Sequence, residues 1–319
     1  MKATDVAVVG AGPAGVAAAL AAASLGVQTT LINETAHVGG NLKWRIATID
    51  GLPSRFDDLN GDRAFKVARE LEELVKKSQI EFLDKGTAWG WFEDNVLAVV
   101  QRDDSHELKA KSIVVATGST DIMRPFPGST LPGVTTARAV LIFLHIHRVL
   151  PGRRFAIIGE GQDADEVNAA LEMSGAEVVC RVKDLDGVKV AGDREVSEIQ
   201  LPERSFGVDS VVVALGRQPD AELALHALAQ SVFSAGADGI VPRRNESCET
   251  SVPGLFVAGE AAGICAVGEA MAEGWLAGLA AAGAGGDALS AARNELSSLR
   301  GANRQKIVED LRLKAASIS

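Results

Sequence analysis

The feature that most limits the fold of this chain is a glycine-rich turn near the amino terminus, Gly10-Ala11-Gly12-Pro13-Ala14-Gly15. An apolar strand at residues 5–9 precedes the turn, and we predict a helix at 16–25 and a second strand at 28–32 after it. In this setting the glycines permit a tight turn, a close approach of the backbone to a pyrophosphate, and close packing of the helix on the strand. The sequence therefore predicts a dinucleotide-binding βαβ unit.

The residues around this turn are predicted to bind the phosphates and ribose of the dinucleotide. The N-terminus of the following helix offers unbonded N–H groups and a partial positive charge to phosphate oxygens. Glu34 lies just past the second strand, where its carboxylate would accept hydrogen bonds from ribose hydroxyls. Gly39 and Gly40 follow, and adjacent glycines indicate another close approach of backbone to ligand. The candidate contacts of this region are Gly10, Gly12, Pro13, Ala14, Gly15, Glu34, Gly39 and Gly40.

The charge of the chain bears on its partners and location. Lys+Arg 32 against Asp+Glu 42 gives a net charge of −10, which argues against nucleic-acid binding because that needs a basic face. Residues 6–33 carry no charge, but Pro13 and several glycines interrupt them, so a βαβ unit is favoured over a membrane span. We expect a cytoplasmic protein that binds neither nucleic acid nor membrane.

The cysteines and histidines give no sign of a metal or thiol centre. Cys180, Cys248 and Cys265 are far apart and form no CxxC, which argues against a disulfide framework, a zinc site or a dithiol. His145 and His147 lie two residues apart on a helix predicted at 136–149, so they face different sides. No metal site is predicted, and no side chain is singled out as a catalytic acid or base.

Further motifs give the chain a specific family resemblance. Ala116-Thr117-Gly118 follows a strand at 112–115, and Pro-Gly-Leu-Phe-Val-Ala-Gly-Glu occupies 253–260. With the first turn, Glu34 and the double glycine, this order resembles the pyridine nucleotide-disulfide oxidoreductase superfamily, in its thioredoxin reductase-like two-domain form. The resemblance implies FAD in the first site, with Glu260 at the ribityl chain and the helix after it pointing its N-terminus at the flavin pyrimidine. It adds Asn41, Ala88, Thr117, Gly118, Gly259 and Glu260 to the candidate cofactor contacts.

Two of these residues depart from the pattern of the superfamily. Glu260 stands where Asp is usual, so its ribityl contact is expected to shift by one methylene. Asn41 stands where Gln is frequent, which shortens its reach toward the flavin. Neither change is expected to abolish FAD binding.

A second, smaller nucleotide fold follows the first. A strand at 155–158 ends in Gly159-Glu160-Gly161-Gln162-Asp163-Ala164, with a helix to about residue 174 and a strand at 177–182. In the superfamily this is the NAD(P)H domain, inserted between the two halves of the FAD domain, but here it is short. Carboxylates at 160, 163, 165 and 166 would repel a pyrophosphate, whereas Arg181 and Lys183 could face a 2′-phosphate. NAD(P)H binding therefore stays open.

These motifs predict an α/β chain with two Rossmann-like dinucleotide-binding domains, the second inserted into the first and reduced in size. The FAD-binding domain is predicted at 1–124 and 223–319, and the reduced NAD(P)-type domain at 125–222. Residues 287–316 are predicted to form one or two charged helices, which either dock a partner or pack on their own domain.

One branch of the superfamily is especially similar. The segments 127–128, 131–134, 259–264 and 273–278 resemble the FAD-binding alpha subunits of heteromeric amine and amino-acid dehydrogenases, such as opine oxidase, hydroxyproline dehydrogenase, hydrogen cyanide synthase and sarcosine oxidase. In that branch a second subunit oxidises a C–N bond on its own flavin, and electrons pass through the larger subunit. Its members often carry an iron–sulfur domain, but with no cysteine after Cys265 we expect no such cluster in the residues that follow.

The resemblance thus implies an FAD-dependent oxidoreductase, the electron-transfer subunit of a heteromeric amine or amino-acid dehydrogenase. Its partner would be a second flavoprotein subunit that holds the small-molecule substrate, or further copies of the same chain. Two alternatives stay open. One is a self-sufficient NAD(P)H-dependent reductase of a small electron acceptor, and the other is a non-catalytic nucleotide-binding structural subunit.

Overall fold

A computed structural model describes residues 2–102 and 104–312, and these fall into two compact units. The described residues up to Ser119 and from Gln218 onward form unit 1, and Thr120–Arg217 form unit 2. The chain is an α/β protein of Rossmann type, with the second unit inserted into the first. The assignment of FAD and NAD(P)-type domains to 1–124, 125–222 and 223–319 stays a prediction.

The helices and strands follow one another along the chain in this order. Before the insertion they are β1 (Lys2–Val9), α1 (Pro13–Ser24), β2 (Thr29–Asn33), α2 (Ala64–Lys77), β3 (Glu81–Asp84), β4 (Gly86–Phe92), β5 (Val96–Gln101), β6 (Asp104–Val115) and β7 (Ser119–Asp121). Next come β8 (Val134–Thr136), α3 (Ala137–Ile142), β9 (Arg154–Ile158), α4 (Gln162–Met173), β10 (Glu177–Val182), β11 (Lys189–Ala191), β12 (Glu198–Gln200), β13 (Ser205–Gly207), β14 (Ser210–Val213) and β15 (Arg217–Pro219). The chain continues through α5 (Glu222–His226), β16 (Ser231–Ser234), β17 (Gly239–Pro242), β18 (Leu255–Val257), α6 (Val267–Ala281), α7 (Gly286–Leu299) and α8 (Ala302–Asp310).

The main sheet of unit 1 has the strand order β3-β2-β1-β6-β5-β4, with β18 also paired to β6. β1 runs parallel to both β2 and β6, so Val9 pairs with Ile32 on one side and Val115 on the other. The end of β1 is fully apolar and buried, as expected of a parallel strand covered on both faces. The carboxyl ends of β1, β2, β6 and β18 therefore meet at one edge, which is where ligands bind in such sheets.

Helix α1 is rich in alanine and buried on nearly every side because α6 packs directly against it. A methyl group at Gly274 would lie 2.0 Å from the carbonyl oxygen of Ala14, and one at Gly278 would lie 2.1 Å from that of Ala18. The two backbones therefore touch. The predicted start of the helix at residue 16 was wrong: α1 begins at Pro13, because proline is well suited to the first helical turn, where its missing N–H is not needed.

Unit 2 contains a smaller parallel sheet of order β10-β9-β14-β8, with α4 connecting β9 to β10, and an antiparallel sheet of β11, β12 and β13. This is the reduced second nucleotide fold. The helix predicted at 136–149 is shorter than expected: α3 ends at Ile142 and continues as one π-helical turn, Phe143–His147, which Arg148 ends with a φ of 56°.

Candidate functional site

The first glycine turn is closed on its protein side and open on the other. Gly10 has a φ of 101°, and a Cβ there would lie 2.3 Å from the carbonyl oxygen of Ala116. A Cβ at Gly15 would lie 1.8 Å from the carbonyl oxygen of Gly10, so both positions need glycine for packing. A Cβ at Gly12 would meet no atom within 4 Å. The turn therefore leaves an open face at Gly12, beside the N–H groups of the first turn of α1.

The side chain of Asn33 braces this turn, a role that we did not infer from the sequence. Its Oδ1 accepts a hydrogen bond from the N–H of Ala11 at 3.1 Å. Its Nδ2 donates to the carbonyl oxygens of Thr35 at 3.0 Å and His37 at 3.1 Å. Asn33 thus links the turn to the loop that carries Glu34. The sequence offered one signal for this role, which is the position of Asn33 at the end of β2, directly before Glu34.

A cavity of about 380 Å³ adjoins the turn at the carboxyl edge of the sheet. It brings together four of the predicted contact residues, Gly10, Glu34, Ala88 and Thr117. Its other lining residues are Val9, Ile32, Asn33, Gly86, Thr87, Trp89, Asp220, Glu222, Leu223 and His226. The residues from 220 onward were missed, since their place beside β4 depends on the long-range packing of α5. The lining combines three carboxylates, those of Glu34, Asp220 and Glu222, with apolar side chains.

The double glycine packs on the protein rather than facing open space. Gly39 donates its N–H to the carbonyl oxygen of Ala11 at 2.8 Å. A Cβ at Gly39 would lie 2.5 Å from the Cβ of Ala68, and one at Gly40 would lie 2.8 Å from the Cα of Gly12. The close approach expected here is therefore made to the glycine turn. Pro13 and Ala14 begin α1, and Asn41 lies half-buried in the 3₁₀ turn Gly40–Trp44; their contacts with a cofactor stay predictions.

Thr117 and Gly118 hold the returning chain at the same edge of the sheet. The hydroxyl of Thr117 donates to the carbonyl oxygen of Asp220. The carbonyl oxygen of Gly118 accepts a hydrogen bond from the N–H of Asp220 at 2.9 Å. These bonds join the two sequence-distant halves of unit 1.

The Pro-Gly-Leu-Phe-Val-Ala-Gly-Glu motif at 253–260, which we call the second signature, ends in a tight 3₁₀ turn, Gly259–Ala262, after β18. A Cβ at Gly259 would lie 2.6 Å from the Cβ of Ala14, so this turn packs on the first turn of α1. Glu260 is half-buried, and its Oε2 accepts a hydrogen bond from the hydroxyl of Ser119 at 2.8 Å. The first glycine turn and the second signature, which come from distant parts of the chain, are therefore neighbours.

Behind this turn lies a buried set of five charged side chains, which we call the arginine–glutamate cluster: Arg244, Glu269, Glu273, Arg300 and Arg304. Arg244 binds Glu273 with two hydrogen bonds, of 2.7 and 2.8 Å. Arg300 donates to Glu273 and, at 2.9 Å, to Glu269. Arg304 also donates to Glu269, at 3.1 Å. Sequence reasoning did not find this cluster.

The cluster is bonded to the backbone of the second signature. Oε2 of Glu273 accepts a hydrogen bond from the N–H of Gly259 at 3.0 Å. Arg304 donates to the carbonyl oxygen of Gly263 at 3.0 Å. Burial alone would raise the pKa of Glu273, but the charges of Arg244 and Arg300 outweigh it and lower that pKa. Glu273 is therefore ionised, and it anchors the turn.

Carboxylates around the second glycine turn pair with basic side chains of unit 2. Asp163 accepts from Arg217 at 3.1 Å, and Asp165 accepts from Arg181 at 2.7 Å. Glu160 pairs with Lys183 at 3.5 Å. Arg181 and Lys183 thus pair with carboxylates of the same unit, and their contact with a 2′-phosphate stays a prediction.

The cysteines do not form a thiol centre. Burial raises the pKa of Cys180, Cys248 and Cys265, so each thiol is protonated near neutral pH. All three are free cysteines. Among residues 2–102 and 104–312, no group of three His, Cys, Asp or Glu side chains is arranged to hold a metal ion. Within the same ranges, no helix has the length and apolar character needed to cross a bilayer.

Known proteins similar to this chain are oxidoreductases. The alpha subunit of sarcosine oxidase from Rhizobium meliloti (strain 1021) is 28% identical over 306 residues, which cover 85% of this chain and 29% of that protein. An opine oxidase subunit from Agrobacterium tumefaciens (strain Ach5) is 24% identical, with 87% of this chain and 65% of that protein covered. The chain thus spans between about a third and two thirds of these relatives.

The same class appears among solved structures and family models. The crystal structure of L-proline dehydrogenase from P. horikoshii matches with a TM-score of 0.79 and 28% identity, covering 93% of this chain and 59% of that one. The model of the pyridine nucleotide-disulphide oxidoreductase family matches residues 4–200 and 164–274. The chain therefore belongs to the pyridine nucleotide-disulphide oxidoreductase family and shares its fold and its class, that of FAD-dependent oxidoreductases.

Proposed function

We propose that the chain is the FAD-binding electron-transfer subunit of a heteromeric amine or amino-acid dehydrogenase. The observation that carries the proposal is the open face at Gly12 in an otherwise closed turn, beside a cavity that holds Glu34. The fit is physical: a diphosphate needs unbonded N–H groups and no Cβ in its way, and an adenosine needs a half-apolar cavity with a carboxylate.

The residues of unit 1 divide the proposed binding between them. The turn at Gly10, Gly12 and Gly15, with Pro13 and Ala14, holds the diphosphate. Glu34 accepts hydrogen bonds from the ribose, while Ala88 and Thr117 border the adenine side of the cavity. The flavin half then extends past Gly39, Gly40, Asn41 and Gly118 toward Gly259 and Glu260. When bound, FAD supplies the redox chemistry, and the protein supplies orientation and electrostatics.

The names of the relatives support both a class of substrate and the presence of a partner. Two relatives are named as subunits of sarcosine and opine oxidases, and the structural neighbour is named L-proline dehydrogenase. Sarcosine, opines and proline are all amino acids with a secondary amine nitrogen. We therefore place the C–N bond oxidation of such a compound on a partner flavoprotein, with electrons passing to the FAD of this chain.

The second glycine turn separates this proposal from a self-sufficient NAD(P)H reductase. The pairs Asp163–Arg217 and Asp165–Arg181 occupy the start of α4, where a pyridine nucleotide would place its pyrophosphate. No step of the proposed function therefore uses NADH or NADPH.

Anaerobic reduction of the flavin tests the proposal. The chain is purified alone and together with its partner flavoprotein, and the absorbance of bound FAD is followed after addition of NADH, NADPH, sarcosine or L-proline. We expect bleaching by an amino acid only when the partner is present, and none by either nicotinamide. Rapid bleaching of the isolated chain by NADH or NADPH would contradict the proposal and support the reductase. A colourless chain that holds an adenine nucleotide would support the structural role.

A further inference from the structure

The carboxy-terminal helices reach the second signature through two arginines. Arg300 directly follows α7, and Arg304 lies in the first turn of α8. Both donate to Glu269, which lies in the first turn of α6. Arg304 also donates to the carbonyl oxygen of Gly263, between the signature turn and α6. The helices therefore bring positive charge to the segment that carries Gly259 and Gly263.

The arginine–glutamate cluster does not balance its own charge. It contains three guanidinium groups and two carboxylates, which leaves one excess positive charge. The side chains of Arg300 and Glu269 are only 7% and 5% exposed, and that of Arg304 is 13% exposed. Charges so far from water are weakly screened and act over a longer distance than charges at the surface.

One buried nitrogen of the cluster donates no hydrogen bond to the described residues. Nη1 of Arg304 is buried and, among the described residues, has no hydrogen-bond partner. A Cβ at Gly263 would lie 3.0 Å from this atom, so the unbonded N–H groups lie directly beside that glycine. Glu260 lies on the same segment, but it is only half-buried, so water screens its charge better than the charges of the cluster.

From this charge excess we propose that Arg300 and Arg304 are positioning residues that make the bound flavin easier to reduce. They hold the segment 259–263 in place and set a positive potential behind it, to which the N-terminus of α6 adds. A positive potential favours the state of a ligand that carries more negative charge, here reduced FAD over oxidised FAD. The inference rests on the proposed function, because it requires FAD against this segment.

The test is the midpoint potential of bound FAD, measured by spectroelectrochemical titration of the full chain and its variants. Arg304→Met removes one positive charge and should weaken the preference for reduced FAD by about tenfold, equivalent to a fall of about 30 mV for a two-electron couple. Arg304→Lys keeps the charge and should restore most of the potential. Glu269→Gln removes a negative charge and should move the potential in the opposite direction, upward.

Lys306→Met is the matched control, because it removes the same charge from an exposed position on the same helix. Its potential should equal that of the unaltered chain. The inference is overturned if Arg304→Met and Glu269→Gln both bind FAD with unchanged potential, or if Lys306→Met shifts it as much as Arg304→Met does. If Arg304→Met does not fold, a Glu269→Gln variant without an upward shift overturns it. An unaltered chain that binds no FAD would overturn the proposed function, and this inference with it.

Discussion

At the scale of single residues, Gly12 differs from the other glycines of its turn. Its φ of −74° suits any residue, and a Cβ there would meet no protein atom, so packing does not require glycine at this position. Only a ligand at the open face would require it. Packing thus requires glycine at Gly10 and Gly15, whereas Gly12 has the binding role that the proposed function assigns to it.

Gly12→Ala should therefore weaken FAD binding without unfolding the protein. We expect the dissociation constant of FAD to rise at least tenfold, or about 1.4 kcal/mol, because the new methyl group displaces the diphosphate. Gly285→Ala is the matched control, since Gly285 also precedes a helix, has a φ of −67° and has open space around it. Fluorescence titration of the apoprotein measures the affinity. Equal affinities for Gly12→Ala and Gly285→Ala would contradict the assigned role.

Glu273 is the residue on which the arginine–glutamate cluster depends. It is fully buried and accepts hydrogen bonds from Arg244, Arg300 and Gly259. Glu273→Gln should lower the free energy of unfolding by roughly 3–5 kcal/mol, because it leaves buried guanidinium groups without a counter-charge. Denaturant unfolding measures this change.

Glu246→Gln provides the control for that experiment. Glu246 also bridges two arginines, Arg293 and Arg312, but its side chain is 53% exposed. A surface bridge of this kind contributes less than about 1 kcal/mol. Equal losses of unfolding free energy in Glu273→Gln and Glu246→Gln would show that burial of the cluster does not increase its contribution to stability.

The same glutamate predicts a pH dependence. The pKa of Glu273 is lowered in the folded protein to about 2, whereas an unfolded glutamate has a pKa of about 4.3. Its contribution to stability is therefore complete above about pH 4.3 and is lost as the pH falls toward the folded pKa. The difference in unfolding free energy between the unaltered chain and Glu273→Gln should shrink over this interval. A difference that does not change with pH would contradict the assignment.

At the scale of elements, the crossing of α1 and α6 depends on two glycines of α6. Gly278→Ala should destabilise the protein by at least about 1–3 kcal/mol, because the methyl group would overlap the backbone of α1 at Ala18. Gly286→Ala, at the open start of α7, should be neutral or slightly stabilising. Thermal unfolding compares them. Equal melting temperatures would show that the two helices are further apart than the structure places them.

Sequence periodicity and turn chemistry predicted several elements closely. The strand predicted at 177–182 is β10, and the strand at 155–158 is β9 with one more residue. The strand β9 has a clear local signal, since its apolar run ends in Gly159. The fold class was also predictable, because both glycine motifs follow apolar strands.

Other parts of the site depend on residues that are distant in sequence. Arg244, Glu273 and Arg300 looked like ordinary charges in helices and loops, and only the tertiary fold buries them together. Asn33 likewise carries no pattern of its own, although it bonds to Ala11. The predicted start of α1 was wrong by three residues because the helix was placed after the whole glycine motif. Proline favours the first turn of a helix, and α1 begins at Pro13.

At the scale of the whole molecule, the proposed function makes the chain an intermediate in electron transfer. Its three cysteines are free, and burial raises the pKa of each thiol. The proposed function places one dinucleotide in unit 1, and ion pairs of unit 2 lie beside the second glycine turn. Electrons are therefore expected to enter from a partner flavoprotein.

The most direct test of this account is the identity and amount of nucleotide released when the purified protein is denatured. Absorbance and mass spectrometry of the released material identify the compound, and protein concentration gives the ratio. The account predicts FAD, at about one molecule per chain. Release of no flavin, or of a nicotinamide or another adenine nucleotide in its place, would contradict it.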